Sequence, residues 1–225
     1  EIKNIIKELL NDKKIIKSSE EISKYLNNVH NILATYGVLP LEKLLEIYNK
    51  TYSKTDKKTL INKVLIDRCF NETLGIVWTY DESIFIYSMQ FFDDEDDALT
   101  FYYSLPEKLE YKEFTKKEYD MIGEGTYHKN IKEYHEIYDF LADEFYMNNS
   151  EISDFDELCI LDYMFSYQIN PEAARKNLNR ALDKSFFLLD LRDKIFITST
   201  ILSIAKNYPS FSYKGFSLNE FNNMK

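Results

Sequence analysis

The stretch from Thr55 to Tyr87, TDKKTLINKVLIDRCFNETLGIVWTYDESIFIY, decides the fold of the first part of the chain. Its first half places apolar residues at helical spacing, so we predict a helix that begins after Thr55 or Asp56. Its second half holds two β-branched and aromatic runs, 76–80 and 84–87, on either side of the polar turn 81–83. Such runs around a short polar turn predict a β-hairpin. A helix followed directly by a hairpin is therefore expected here.

Two more amphipathic helices are predicted before this stretch. Ser18-Ser19-Glu20-Glu21 is typical of a capping box, which predicts a helix beginning after Ser18. Gly37 predicts a left-handed end to that helix, and Pro40 predicts the first turn of the next one. Three short helices and a hairpin follow the order of a winged-helix module. We therefore predict an N-terminal helix within 1–17 and a winged-helix-like module over 18–92.

The rest of the chain, 93–225, is predicted to be an acidic helical domain. The run Asp93-Asp94-Glu95-Asp96-Asp97 is interpreted as a solvated boundary that also caps the next helix. An EF-hand is excluded, because Ala98 and Ser104 stand where a calcium loop needs Gly and Glu. The helices predicted from periodicity and capping signals cover 98–105, 115–123, 126–147, 153–168, a segment from Pro171, 191–207 and a short turn at 217–220. The expected fold class is mostly α.

Composition supports a folded, helical protein. The chain has 225 residues, of which 44% are apolar and 29% charged, with only 5 Gly and 4 Pro. Scarce turn residues argue against a many-stranded sandwich or barrel. No segment reaches the roughly 20 apolar residues that span a bilayer, and the start lacks a signal-peptide pattern. We therefore expect a cytoplasmic protein with no membrane partner, in which Cys69 and Cys159 are reduced, buried thiols.

Charge is distributed unevenly along the chain. Residues 1–70 carry 13 Lys and Arg against 9 Asp and Glu, a balance of +4. Residues 71–225 carry 15 Lys and Arg against 29 Asp and Glu, a balance of −14, which completes the total of −10. Such asymmetry suggests two parts with different partners.

The leading functional hypothesis is a non-enzymatic regulator that binds duplex DNA through its basic part. In this hypothesis the acidic part dimerises or recruits a protein partner. Lysine and arginine neutralise phosphates, while asparagine and arginine can read base edges. The candidate nucleic-acid-binding residues on the third helix are Lys57, Lys58, Asn62, Lys63 and Arg68. Asp81 and Glu82, at the tip of the predicted wing, would repel phosphate and count against this hypothesis.

The competing hypothesis is a helical adaptor or inhibitor that docks onto another protein and binds no nucleic acid. Tyrosine supplies a large contact area with a polar tip at low entropic cost, so exposed tyrosines are typical of interfaces. Tyr102 and Tyr103 are the candidate partner-binding residues. The alternative, that the tyrosines between 102 and 127 fill a junction between domains, stays open.

Enzymatic and metal-dependent functions find little support. The chain lacks the GxSxG, HExxH, GxxxxGK[ST] and GxGxxG patterns, and no cofactor is expected. His128 and His135 are predicted on one face of one helix, about 10 Å apart, which is too far for one metal ion. No metal site is predicted, and both histidines are expected to be exposed. A non-enzymatic protein is favoured, although catalytic residues need not be adjacent in sequence.

One segment resembles a known family. The runs 206–211 (KNYPSF) and 215–221 (GFSLNEF), together with 36–41 (YGVLPL), resemble the helical region of SEC-C motif proteins of Gram-positive bacteria and phages. The resemblance covers about twenty residues and departs from the family pattern at Pro209 and Leu218. The cysteine-rich metal motif of that family is absent, so the resemblance implies a helical adaptor and no metal role.

Overall fold

The computed structural model describes residues 13–184 and 189–224. Within these ranges the chain is mostly helical with one small three-stranded sheet, which confirms the predicted fold class at that level. Of the predicted N-terminal helix within 1–17, residues 1–12 lie outside the described residues. The chain divides into two compact units: unit 1 comprises Glu1–Ser104 and Thr115–Gly123, and unit 2 comprises Leu105–Phe114 and Glu124–Lys225.

Unit 1 combines five described helices with the sheet. In chain order its elements are α1 (Lys13–Tyr36), β1 (Val38–Pro40), α2 (Leu41–Thr51), α3 (Lys57–Phe70), β2 (Leu74–Trp78), β3 (Ile84–Ser88), α4 (Glu95–Ser104) and α5 (Lys116–Gly123). The strand order is β1-β3-β2, and both pairs are antiparallel. The first two strands in the sequence are thus not neighbours, because β3 lies between them.

The start of unit 1 differs from its prediction in two respects. Helix α1 already includes Lys13, so Ser18 lies inside the helix and the predicted cap at Ser18 is wrong. Gly37 does adopt φ 74° and its N–H donates to the Leu33 carbonyl over 2.7 Å, which confirms the left-handed end. The strand β1 was not predicted, because three residues are too few to show alternation.

The segment from α3 to β3 follows its prediction. Asp56 caps α3, since its side chain accepts a hydrogen bond from the Thr59 N–H over 2.9 Å. The two strands pair from Leu74↔Ser88 to Trp78↔Ile84, which confirms the hairpin. The turn between α3 and β2 is held by the buried carboxylate of Asp67. It accepts hydrogen bonds from the backbone N–H and the hydroxyl of Thr73 and from the Leu74 N–H.

Unit 2 is entirely helical within the described residues. Its elements are a 3₁₀ turn (Tyr127–Asn130), α6 (Lys132–Phe145), α7 (Asn149–Phe155), a π-helix (Asp156–Leu161), α8 (Asp162–Ile169), α9 (Pro171–Lys184), α10 (Leu191–Asn207), a second 3₁₀ turn (Phe211–Tyr213) and α11 (Leu218–Asn223). The core includes α10, in which Ile197, Ile201 and Ile204 are fully buried.

Two predicted helices of unit 2 need correction. The single helix predicted over 126–147 is interrupted at Ile131, whose backbone is extended with φ −82° and ψ 132°. Helix α7 begins after Asn148 rather than after Ser153 or Asp154, because the Asn148 side chain accepts hydrogen bonds from the N–H groups of Ser150 and Glu151. An asparagine followed three residues later by glutamate forms the capping box here.

Candidate interaction surface

The five residues predicted to bind nucleic acid all lie on α3, but they differ in exposure and in the groups they contact. Lys58 and Asn62 are exposed on its outer side. Lys57 pairs with the Glu42 carboxylate over 2.9 Å, and the Lys63 ammonium lies 3.7 Å from the centre of the Tyr25 ring.

Arg68, the fifth of these residues, is bound to the sheet. Its guanidinium donates to the Ile76 carbonyl over 3.1 Å. Strand β2 is at the edge of the sheet, so Arg68 satisfies a carbonyl on that strand. Three of the five side chains thus contact groups of the same unit, while Lys58 and Asn62 are exposed.

The second half of α3 presents apolar side chains to solvent. The exposed fractions are 37% for Leu65, 40% for Ile66 and 81% for Phe70. Cys69, between them, is also exposed, so the expectation that both thiols are buried is wrong for this one. Cys159 is buried, and burial raises the pKa of its thiol to about 11, which leaves it protonated and unreactive. We call Leu65, Ile66 and Phe70 the α3 apolar patch.

An open groove of about 510 Å³ lies beside this patch, between α1 and α3. Its lining is a set of apolar and small polar side chains with one cation: Lys14, Ser18, Ser19, Ile22, Ser23, Leu26, Ile66, Phe70 and Asn71. Ile66 and Phe70 belong to both the groove and the α3 apolar patch. The patch therefore continues from one face of α3 into a concave surface.

The hairpin turn presents aromatic and acidic side chains. Trp78 is 54% exposed and Tyr80 is fully exposed. Asp81 folds back onto the turn, where it accepts hydrogen bonds from the Thr79 hydroxyl and the Ser83 N–H. These hydrogen bonds, first that of Thr79, lower the pKa of Asp81, so the carboxylate stays charged.

The two candidate partner-binding tyrosines differ in environment. Tyr102 packs edge-on against Phe85 of β3, with ring centres 4.7 Å apart, and burial raises the pKa of its hydroxyl. Tyr103 is 65% exposed, with its ring centre 6.4 Å from that of Phe85. Tyr102 thus contributes to the packing on the sheet, whereas Tyr103 contributes mainly surface.

Unit 2 contains a buried polar cluster that was not predicted. His128 is fully buried, contrary to its expected exposure, and its Nε2 lies 2.7 Å from Oδ1 of Asp156. Lys129 reaches the other oxygen of Asp156 over 3.2 Å, and the Tyr134 hydroxyl donates to it over 3.4 Å. His135 is exposed on α6, so the two histidines do not share a helix face.

The electrostatics of the cluster favour an ionised Asp156. Burial alone raises the pKa of this carboxyl. The hydrogen bond and charge of His128, followed by those of Lys129, lower it by more, so the pKa lies below its usual range. The Nδ1 atom of His128 is buried without a hydrogen-bond partner. Because 28 residues separate the pair, no local sequence pattern could have indicated it.

Comparison with known proteins does not identify the chain. No family model, no curated protein and no solved structure matches it. The resemblance of the 206–221 segment to SEC-C motif proteins therefore stays a prediction.

Two features are lacking in the residues that the structure describes. No helix there combines the length and the apolar character needed to cross a membrane. In the same residues, no three His, Cys, Asp or Glu side chains are grouped so that they could hold a metal ion.

Proposed function

We propose that this chain is a non-enzymatic interaction protein whose unit 1 docks onto another protein through the α3 apolar patch. The observation that carries the proposal is the exposure of Leu65, Ile66 and Phe70 on consecutive turns of one helix. Contiguous exposed apolar side chains next to a concave surface are typical of protein interaction sites.

We further propose that residues 18–92 form a winged-helix-like module that serves as the docking scaffold. The order helix, short strand, two helices and hairpin supports this proposal, as does the strand order β1-β3-β2. In such a module α3 is the helix that contacts the partner. A protein partner would then contact the α3 apolar patch at the place where a DNA-binding winged-helix module presents polar side chains.

Charge also favours a protein partner over nucleic acid. Unit 1 carries 15 Lys and Arg against 19 Asp and Glu, a balance of −4. Lys57, Lys63 and Arg68 already contact groups of the same unit. The hairpin turn ends in Asp81 and Glu82, and like charges there would repel a phosphate backbone.

A quantitative pull-down from the native lysate tests this function. The bait is the full chain, and the two variants are Phe70→Ser and Tyr80→Ser, which both remove an exposed aromatic ring from unit 1. We expect Phe70→Ser to reduce recovery of the partner at least about tenfold, as loss of an aromatic anchor does. Tyr80→Ser, which changes no residue of the patch, should leave recovery unchanged. Equal recovery with all three baits would contradict the proposal.

A second candidate function, binding to duplex DNA, is favoured by one observation. Lys58 and Asn62 are both exposed on the first turns of α3, where a recognition helix contacts base edges. A fluorescence-anisotropy titration of the full chain against duplex DNA at about 50 and about 200 mM salt tests it. DNA binding predicts affinity that falls steeply with salt and is lost in Lys58→Glu. Salt-independent or absent binding would leave protein docking as the only candidate.

A further inference from the structure

We infer that unit 2 contains a binding pocket for a small, uncharged sugar ring. The inference is separate from the proposed docking function, because every residue that lines the pocket belongs to unit 2, whereas the α3 apolar patch belongs to unit 1. Its basis is the size of the pocket and the uncharged, hydroxyl-rich and aromatic side chains that line it.

The pocket has a volume of about 240 Å³. It is formed by the end of α8, the starts of α9 and α11, the last turn of α10 and the second 3₁₀ turn. Pockets for drug-sized ligands begin at about 300 Å³, so this one suits a single small ring. The lining residues that matter for its chemistry are Tyr167, Gln168, Ser210, Ser212 and Tyr213.

Hydrogen bonds hold the walls of the pocket in place. The N–H groups of Tyr213 and Gly215 donate to the Ser210 carbonyl over 3.2 and 2.9 Å, which closes the segment around the second 3₁₀ turn. The Gln168 side chain donates from Nε2 to the Pro209 carbonyl over 3.3 Å and thereby joins this segment to α8. A pocket that is formed before its ligand arrives loses little conformational entropy on binding.

The lining selects an uncharged ligand. No lysine, arginine, histidine, aspartate or glutamate occurs among the described residues that line the pocket. A phosphate or carboxylate group would lose its water there without gaining a cation, which is unfavourable. Burial, and to a smaller extent the neighbouring Tyr213, raises the pKa of the Tyr167 hydroxyl, so this group stays protonated and uncharged as well.

Hydroxyl groups favour a sugar over other uncharged rings. Four of the lining residues carry one: Tyr167, Ser210, Ser212 and Tyr213. A hydroxyl group can both donate and accept, so it can pair with the hydroxyl groups of a sugar whichever way these point. A nucleobase has donors and acceptors at fixed positions, which an amide side chain matches better. Gln168 is the one amide among the described lining residues, and its Nε2 is already bonded to Pro209.

Two aromatic rings supply the apolar part of the lining. Tyr167 packs against Tyr163 with ring centres 5.7 Å apart, and Tyr213 stacks on Phe221 with ring centres 4.5 Å apart. Each ring is thus supported by a neighbouring ring. The electron-rich face of an aromatic ring attracts polarised C–H groups. A sugar ring has both such C–H groups and hydroxyl groups, so it matches both parts of the lining.

Saturation-transfer NMR with the full chain tests the inference. The probes are common neutral hexoses, pentoses and N-acetylhexosamines, together with cytosine as a flat base of similar size. We expect at least one neutral sugar to bind with a dissociation constant of about 1 mM, as the few atoms of a single ring allow. Cytosine and the phosphorylated form of the same sugar should show no binding.

Two variants then locate the site. Tyr167→Phe with Tyr213→Phe removes two hydroxyl groups and keeps both rings, so we expect an unchanged fold and sugar binding that is at least about tenfold weaker. The matched control is Tyr146→Phe, which removes an exposed hydroxyl of unit 2 away from the pocket and should bind the sugar as wild type does. Thermal melts check that both variants are folded.

Four results would overturn the inference. Binding of cytosine in place of the sugars would assign the pocket to a flat base, and equal binding of the phosphorylated sugar would show that the pocket accepts charge. Failure of every neutral sugar to bind would leave the pocket without this ligand class. Sugar binding that the double variant leaves unchanged would place the site elsewhere. The docking function is tested separately by Phe70→Ser and is unaffected by these results.

Discussion

Two buried aspartates stabilise the two units by different means. Asp67 in unit 1 is 2% exposed and is satisfied by donors that follow it closely in sequence, among them Thr73 and Leu74. Asp156 in unit 2 is 3% exposed and depends on His128 and Lys129, which precede it by more than twenty residues. A buried carboxylate is stable only with such partners, so both residues are sensitive to substitution.

Replacing Asp67 should destabilise the junction between α3 and β2. In Asp67→Ala the buried N–H of Leu74 loses its acceptor, and the Thr73 hydroxyl loses its partner. We expect the free energy of unfolding to fall by about 3 kcal/mol in urea titrations. The matched control is Asp81→Ala, which removes an exposed turn aspartate of the same unit and should leave the midpoint nearly unchanged. If the two substitutions lowered the free energy of unfolding equally, burial of Asp67 would not explain the loss of stability.

Asp156 should make unit 2 sensitive to acid. Its pKa is lowered in the folded protein, so its contribution to stability is present above the unfolded-state pKa of about 4 and is lost as the pH falls through the lower, folded value. Asp156→Asn removes this titrating group. We therefore expect the free energy of unfolding of the variant to depend less on pH than that of wild type between about pH 4 and about pH 2. Urea titrations across this range measure the pH dependence of the free energy of unfolding. Parallel pH profiles for the two proteins would contradict the lowered pKa of Asp156.

Neither aspartate could have been identified from the sequence. The chain has 38 acidic residues, and a buried carboxylate differs from an exposed one only through its tertiary contacts. Lys57, Lys63 and Arg68 illustrate the same limit, because their residue types suggested phosphate contacts while their partners Glu42, Tyr25 and Ile76 lie on other elements. Residue type indicates what a side chain can bind, and the fold determines what it reaches.

At the level of elements, strong local sequence signals predicted the helices and the hairpin correctly, whereas interruptions within helices were not predicted. The hairpin has two β-branched and aromatic runs around a polar turn, α3 has periodicity and a capping residue, and α10 has a long apolar run. All three appear as predicted. The break at Ile131 and the π-helix at Asp156–Leu161 have no such signals. His128 precedes the break and Asp156 begins the π-helix, and the two side chains are in contact. A contact at long sequence separation leaves no trace in local periodicity.

The hairpin depends on a glycine opposite an aromatic ring. Gly75 pairs with Tyr87 across β2 and β3, and a Cβ atom at Gly75 would lie 2.0 Å from the Tyr87 ring. We expect Gly75→Ala to lower the free energy of unfolding by about 3 kcal/mol, because the ring must leave its position. In a Tyr87→Ala background the same change should cost much less, since the clash is gone. Additive effects in this double-mutant cycle would contradict the steric explanation.

Helix α4 offers a test of which tyrosine is structural. Tyr102 packs on Phe85, so Tyr102→Ala should cost about 2 kcal/mol of unfolding free energy. Tyr103 is 65% exposed, so Tyr103→Ala should cost less than about 1 kcal/mol. Thermal melts of the two single variants measure the difference. If Tyr103 is also a partner-binding residue, Tyr103→Ala should lose binding to the partner and keep the wild-type melting temperature. A large drop in melting temperature would instead show that Tyr103 belongs to the core.

At the scale of the whole molecule, the net charges of the two compact units differ from the charge balance along the sequence. The sequence contrast of +4 and −14 becomes −4 for unit 1 and −6 for unit 2, since unit 2 carries 13 Lys and Arg against 19 Asp and Glu. The acidic run 93–97 belongs to unit 1 and leads into α4, which packs on the sheet. Charge balance along the sequence therefore does not describe the charge of either compact unit.

The first segment of unit 1, residues 1–104, should need the second segment, Thr115–Gly123, in order to fold stably. Helix α5 (Lys116–Gly123) packs on α1, where Tyr119 and Ile122 are each 1% exposed and the Tyr119 hydroxyl lies 2.6 Å from that of Tyr36. Asp120 accepts hydrogen bonds from Asn31 and Tyr52, each over 3.0 Å. A fragment that ends at Ser104 would leave Tyr36, Asn31 and Tyr52 without these partners, and a fragment that ends at Phe92 would also lack α4.

We therefore expect a fragment of residues 1–123 to unfold cooperatively and a fragment of residues 1–104 to be far less stable. Burial of Tyr119 and Ile122 contributes about 4 kcal/mol, which for a domain of this size corresponds to a melting temperature lower by about 15 °C or more in the shorter fragment. Circular dichroism melts of both fragments measure this. Tyr119→Ala in the 1–123 fragment is the matched control, because it removes the main buried contact without shortening the chain, and it should lower the melting temperature part of the way. Equal melting temperatures for the two fragments would show that residues 1–104 fold without α5.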